Sequence, residues 1–412
     1  MPESNIKSEK QLCVATLTMY HTSINYGGVL QTYALQKVLT KMGCLSTTLR
    51  YHTTWNFVCD IKKEVWEVYR SKHKMIAFKS FIQKISKLVI DFVSTKYIQK
   101  TYLSKKLDCR RAAFSKFTSI HISDSNEVYS DTTLQKSVES YDAFIVGSDQ
   151  VWNPYLFTPG YGLGFVPNNK LKISYAASIA QPSLTQSDIE VMQPYISRFD
   201  KISVRELRAK ELLREDMNLN AECVLDPTML LTEEEWSSLI NRKVMDKPYI
   251  FCYILGAEKD KIDFAKKTAE ALHLPLVTLP FVSRYMRTHQ LKYMEFGDEQ
   301  FYDVDPAGFL DLVQSAEYVI TDSFHGTAFS ILYHKRFIVL DRNSSNAEFE
   351  MNSRLQSIIS LFNIGQILVS DYSNPGLDHF KDIDYDAVDR VLTSMRKVSM
   401  DFLESSLFAS AK

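Results

Sequence analysis

Residues 12 to 51 read "LCVATL", then "GGVLQTYALQKVLTKMG" with nine residues before it and none after, then "CLSTTLRY". A β-rich run, a helical period and a second β-rich run make a βαβ unit, and two strands joined by a helix run parallel. In the middle member Val29, Leu30, Tyr33, Ala34, Val38 and Leu39 fall near one helical face, and Gly43 supplies a stop. The rhythm resumes after residue 118 with strands in "YDAFIVGSDQ", "KISYAAS", "DKISVRE" and "AECVLD". After the polar helix and proline turn of "LTEEEWSSLINRKVMDKP" a second series begins at "YIFCYIL" and continues through "LPLVTLP", "EYVITD", "RFIVLD" and "QILVS". The fold class expected is α/β: two Rossmann-like doubly wound domains facing across a cleft. Residues 1–231 form the first, with a helical insertion at about 52–118, and 232–385 the second. The helix in 386–412 is expected to pack back on the first domain. Such sheets bind ligands beyond the carboxyl ends of their strands.

A chain of 412 residues with 45% apolar and 24% charged side chains has ample core for two domains. The polar start "MPESNIKSEKQ" lacks the basic and apolar regions of a secretory signal, and no run approaches the roughly 18 apolar residues of a spanning helix. A cytoplasmic protein is expected. The six cysteines, Cys13, Cys44, Cys59, Cys109, Cys223 and Cys252, show no paired spacing, which suits reduced thiols and offers no zinc motif. The net charge of −1 is uneven: residues 62–118 carry +11 and the rest −12.

Polar residues gather where strands end. In "EYVITDSFHGTAFSILY" Asp322 or Ser323 can cap the next helix and His325 falls in its first turn, where free backbone N–H groups favour an anion. Gly326 would let a ligand approach the backbone. In the first domain Asn25, Tyr26, Gly27 and Gly28 form a turn entering a helix. In "FIVGSDQVWNP", Gly147, Ser148, Asp149, Gln150, Trp152 and Asn153 combine polar groups with an indole, which suits either a sugar site or an Asx turn beside a packed tryptophan. Arg205 in "ISVRE" can grip a carboxylate or phosphate bidentately, or pair with Glu206. Asp226 in "VLDPT" reads as a cap before Pro227.

Taken in order, "NYGGVLQTYALQ", "DAFIVGSDQVWNP", "ISYAAS", "ISVRE", "VLDPT" and "TDSFHG" resemble the polysaccharide pyruvyl transferase family over about residues 12 to 370, the insertion excepted. The resemblance implies a GT-B-like fold. It also implies transfer of a pyruvyl group from phosphoenolpyruvate to two hydroxyls of a sugar in a bacterial capsular or exopolysaccharide precursor, forming a cyclic ketal with no cofactor or metal. On that basis His325, Arg205 and Asp149 are expected in catalysis and Ser323, Gly326, Arg205 and Arg354 at the donor. Asn25, Tyr26, Gly27, Gln31, Asp149, Gln150, Trp152 and Asn153 are expected at the acceptor. Many family members read R-L-H-G where this chain has Ser323, Phe324, His325 and Gly326. Arg354 is the expected substitute for the missing arginine, with Arg342 and Lys335 as weaker candidates.

Between 74 and 100 an apolar band that includes Ile82, Val89 and Val93 runs beside Lys74, Lys79, Lys84, Lys87, Lys96 and Lys100. It either covers the first domain or lies on the anionic inner face of a membrane, near an acceptor carried on polyprenyl diphosphate. No nucleic-acid motif accompanies the charge. A nucleotide-sugar glycosyltransferase and a non-catalytic carbohydrate-binding relative are the competing readings.

Overall fold

The computed structural model describes residues 11–52, scattered positions between 82 and 100, and residues 103–256, 258–281, 291–341 and 352–408. Most of the segment 52–118 therefore lies outside the described residues; of the lysine-bordered band at 74–100 only scattered helical positions are described, and Ile82, Val89 and Val93 among them are exposed.

The first sheet contains β1 (Cys13–Leu17), β2 (Leu45–Tyr51), β3 (Asp124–Tyr129), β4 (Ala143–Val146), β5 (Leu171–Ala177), β6 (Lys201–Val204) and β7 (Glu222–Cys223). The second contains β8 (Ile250–Tyr253), β9 (Leu276–Thr278), β10 (Glu299–Gln300), β11 (Tyr318–Thr321), β12 (Arg336–Leu340) and β13 (Leu368–Val369). Their spatial orders are β3-β2-β1-β4-β5-β6-β7 and β10-β9-β8-β11-β12-β13, and every pairing is parallel. Counted from its own first strand, each sheet follows the doubly wound order 3-2-1-4-5-6, with one strand added to the first. The chain order reverses between β1 and β4, and between β8 and β11, and sheets of this kind bind ligands beyond the carboxyl ends of the strands at such a reversal.

The central strands "AFIV", "IFCY" and "YVIT" are buried along their whole length, as strands covered by helices on both faces must be. The sequence pattern passes over β3 and β10. Both are edge strands with polar, half-solvated residues, so neither carries an apolar run to betray it.

Helix Tyr26–Lys41 starts at Asn25, whose side chain accepts from Gly28 N, and buries Val29, Leu30, Ala34, Val38 and Leu39. Beyond it Gly43 has φ +85°, a conformation that favours glycine. The two sheets share one continuous apolar cluster, which includes Val29 and Val38 from the first and Phe309, Phe329 and Val339 from the second. At the seam Tyr26 stacks on Phe309 at 5.0 Å and donates its hydroxyl to Val304 O at 3.0 Å. Arg110, buried on helix Ser104–His121, reaches across and donates to Pro280 O, Phe301 O and Tyr302 O. The long helix Tyr385–Phe408 leaves the second sheet and touches the end of the first. Ser399 Oγ accepts from Leu225 N at 2.9 Å, and Arg396 donates to Met229 O and Leu231 O. Among the described residues no helix is long and apolar enough to cross a membrane.

Candidate active site

Residues from the carboxyl ends of both sheets meet at this seam. After β4 the chain turns at Gly147, φ +115°, where a Cβ would stand 2.2 Å from Tyr175 O. No other residue fits there. Ser148 follows, donating its N–H to Gln31 Oε1 at 3.1 Å and its hydroxyl to Asp226 Oδ2 at 2.8 Å. Asp149 comes next, and its carbonyl accepts from Ser178 N beyond β5.

Arg205, one residue beyond β6, is enclosed by carboxylates. Its Nη1 lies 2.6 Å from Asp226 Oδ2, its Nη2 3.0 Å from Asp149 Oδ1 and its Nε 3.2 Å from Glu206 Oε1. The guanidinium rests 4.3 Å from the ring centre of Phe324, which opens the helix after β11 of the second sheet. Burial opposes its charge, but Asp226, Asp149 and Glu206 outweigh that and raise its pKa further. Arg205 is thus a permanent cation whose side chain is 1% exposed, and it ties three strand-end loops together.

His325 stands on the facing side. Ser323 caps its helix, Phe324–Leu332, by accepting from Gly326 N at 3.3 Å. The imidazole rests against Gly27, where a Cβ would fall 2.0 Å from Nδ1. Its Nε2 lies 3.8 Å from Asp226 Oδ1 and makes no hydrogen bond among the described residues. Burial pushes the His325 pKa down, aided by Arg205 and Arg354, more than Asp226 and Asp149 push it up. The ring is neutral near pH 7.

Asp226 is held by Thr228 N and Thr228 Oγ1 on Oδ1 and by Arg205 and Ser148 on Oδ2. Burial works against its carboxylate, yet His325, Arg205 and these hydrogen bonds keep its pKa below the usual range. Asp149 is likewise lowered: burial is opposed by Arg205, His325 and Arg354. Arg354, buried in the first turn of helix Asn352–Leu361, places Nη1 3.9 Å from Asp149 Oδ1.

Arg205, Asp149, His325, Gly27 and Arg354 thus converge, whereas several expected site residues do not. Trp152 is fully buried, donates Nε1–H to Tyr161 O and meets Phe199 edge to face. It is a core side chain, because the loop bends inward under its apolar mass, and it offers a sugar no open ring face. Gln31 is also fully buried and spends its amide on Thr18, Thr32, Gly28 O and Ser148 N. It shapes the 147–149 turn and has no atom left for an acceptor. Tyr26 belongs to the seam between the sheets, and Asn25 is the cap of its helix. Asn153 bonds Gln150 and Tyr155 N, closing a turn.

Ser323 and Gly326 have structural work at the start of the His325 helix: the Ser323 hydroxyl accepts from Gly326 N, and a Cβ on Gly326 would meet Thr321 Oγ1 at 2.3 Å, so packing alone requires glycine there. Lys335 precedes β12, at the end of the sheet away from the seam, and donates to Gln314 O. Arg342 lies outside the described residues.

Asp226 is the residue that reading the sequence undervalued. It does cap the turn Pro227–Met229 as expected, but it also joins Arg205 to His325 across the seam. The signal available was its place in the ordered set of strand-end stretches.

Comparison with known families gives a match to the polysaccharide pyruvyl transferase model over residues 25–344. The chain belongs to the polysaccharide pyruvyl transferase family. The matched span of this pyruvyl transferase family member contains both sheet ends and every converging residue except Arg354. No curated protein matches it by sequence. Among solved structures it is similar to a UDP-GlcNAc 2-epimerase from Methanocaldococcus jannaschii, with 11% identity over 94% of this chain and 92% of that one, TM-score 0.44. It is also similar to a UDP-GlcNAc 2-epimerase from Neisseria meningitidis bound to UDP-GlcNAc, with 9% identity over 95% and 99% of the two chains, TM-score 0.46. A third is the glycosyltransferase SnogD from Streptomyces nogalater, with 9% identity over 98% and 99%, TM-score 0.43.

The buried ring of this family member carries a pH signature. The folded state keeps His325 neutral below the ordinary value of 6.5, so as pH falls the unfolded chain takes up that proton first. Stability is then expected to be level above about pH 6.5 and to decline below it until the folded imidazole itself titrates. A further loss, from Asp149 and Asp226, begins as pH falls towards 3.8. Melting temperatures at pH 7.5 and 5.5 check this: the parent should lose more than His325→Gln, and equal losses would refute it.

Proposed function

We propose that this protein transfers the pyruvyl group of phosphoenolpyruvate to two hydroxyls of one sugar residue in a polysaccharide precursor, releasing phosphate and leaving a cyclic ketal. The observation that carries this reading is the neutral His325, buried between two domains with Nε2 3.8 Å from the Asp226 carboxylate. A positioned imidazole that can take up a proton and give it back is suited to move protons between reacting atoms.

In the first half of the reaction a sugar oxygen bonds to C2 of the enol ester while C3 takes a proton and becomes methyl. In the second half the C2–O bond to phosphate breaks and the other hydroxyl closes on C2. The two hydroxyl protons are accounted for, one ending on C3 and one leaving with phosphate. His325 exchanges these protons, and the imidazolium it becomes is stabilised by the carboxylates of Asp226 and Asp149, as preorganised charges in a water-poor site can do. Arg205 keeps both carboxylates in place, and its own donors are already engaged.

Arg354 is then the cation proposed to hold the donor. Arg354→Ala is expected to raise the KM for phosphoenolpyruvate about tenfold or more, the scale of one charge-assisted contact of about 1.5–3 kcal/mol. Steady-state phosphate release at varied phosphoenolpyruvate reads this, and an unchanged KM would remove Arg354 from the donor site. The same assay separates pyruvyl transfer from nucleotide-sugar glycosyl transfer, which would release no phosphate from phosphoenolpyruvate.

A further inference from the structure

Two family-motif residues play no part in the chemistry above: Ser178, which ends "ISYAAS", and Glu206, which ends "ISVRE". Both are buried, and each keeps a side-chain oxygen, Ser178 Oγ and Glu206 Oε2, with no hydrogen-bond partner among the described residues. Gln181 Nε2, 8% exposed as a residue, is in the same state. Buried polar atoms are nearly always paired, because one left unpaired has given up its hydrogen bonds to water with nothing in return. Three such side chains within one strand-end region call for a partner that arrives from outside.

The backbone places them together. Ser178 N donates to Asp149 O, and Ser178 O accepts from Trp152 N, so Ser178 lies against the β4 end. Arg205 N donates to Ala177 O, and Arg208 Nε to Pro182 O at 2.7 Å, so the segment 177–182 runs beside 205–208. All of this lies beyond the carboxyl ends of β4, β5 and β6, adjoining Arg205. Helix Asn352–Leu361 of the second domain packs on helix Leu207–Met217 at this side of the seam.

Their chemistry selects the ligand class. Glu206 has given Oε1 to Arg205, which leaves Oε2 to accept; Gln181 Nε2 donates, and a serine hydroxyl does either. A carboxylate turned to the ligand repels an anion, so this is not a second place for phosphoenolpyruvate. Neighbouring hydroxyls, each both donor and acceptor, complement the set. From this we propose that Ser178, Gln181 and Glu206 form the subsite that receives the hydroxyls of the sugar acceptor, an assignment that rests on the function proposed above.

The test is binding of a panel of methyl hexopyranosides, followed by saturation-transfer NMR in the presence of phosphoenolpyruvate, for the parent, Ser178→Ala and Gln181→Ala. Glu206 stays intact because it braces Arg205. At least one glycoside is expected to bind the parent, and each substitution to weaken it about tenfold, with phosphoenolpyruvate affinity unchanged. Melting temperatures should not fall, since removing an unpaired buried group removes a penalty. Unchanged glycoside affinity in both variants, or a parent that binds no member of the panel, would overturn the subsite and leave these atoms to ordered water. Glycoside binding that depends on Ser178 and Gln181 without phosphate release would retain the subsite and defeat the proposed reaction.

Discussion

Arg205→Met is expected to destabilise the protein by about 3–5 kcal/mol, the cost of breaking a buried ion pair by removing one partner. The reason is geometric. Asp226, Asp149 and Glu206 each lie within 3.2 Å of a guanidinium nitrogen, and methionine would leave three buried carboxylates without their shared cation. Thermal and urea unfolding should show the loss directly, against a total stability of about 5–15 kcal/mol for a typical domain. Arg205→Lys should recover only part of it, because one ammonium cannot reach three separate carboxylates as a planar fork can. The alternative is a donor-binding arginine, whose replacement would lower phosphoenolpyruvate affinity and spare stability. A methionine variant that melts with the parent but no longer binds the donor would overturn the hub.

For His325→Gln the expected result is the reverse: a folded protein whose phosphate release falls about 10²–10⁴-fold, the usual contribution of a general acid or base. Glutamine keeps a polar side chain of similar reach against Gly27 and cannot titrate. Because burial already holds the imidazole neutral, the substitution leaves the charge of the resting site unchanged at pH 7, and melting there should stay close to that of the parent. Turnover within a few-fold of the parent would sink the assignment of His325, whatever the fate of the other residues.

The outcome for each residue follows from how local its cause is. The helix from Tyr26 to Lys41 and the strand that begins at Tyr318 were legible because apolar spacing and a cap act within a few residues. Edge strands β3 and β10 were not, since pairing on one side alone asks for no apolar run. Trp152 misled because a loop rich in polar residues says nothing about which way its one large side chain turns. Arg205 was located correctly at a strand end, but the number of carboxylates around it depends on loops 56 residues before it and 21 after it.

The amino-acid sequence by itself determined the two doubly wound sheets, the strand ends where polar residues gather, and the family. These follow from periodicity and from motifs short enough to read along the chain. Only the tertiary structure decided that Asp226 faces His325, that Arg205 braces carboxylates, and that Trp152 and Gln31 serve the core. Burial and charge pairing are properties of three-dimensional neighbours. Gly27 and His325 stand 298 residues apart in the chain, yet a single methyl group on one would strike the ring of the other.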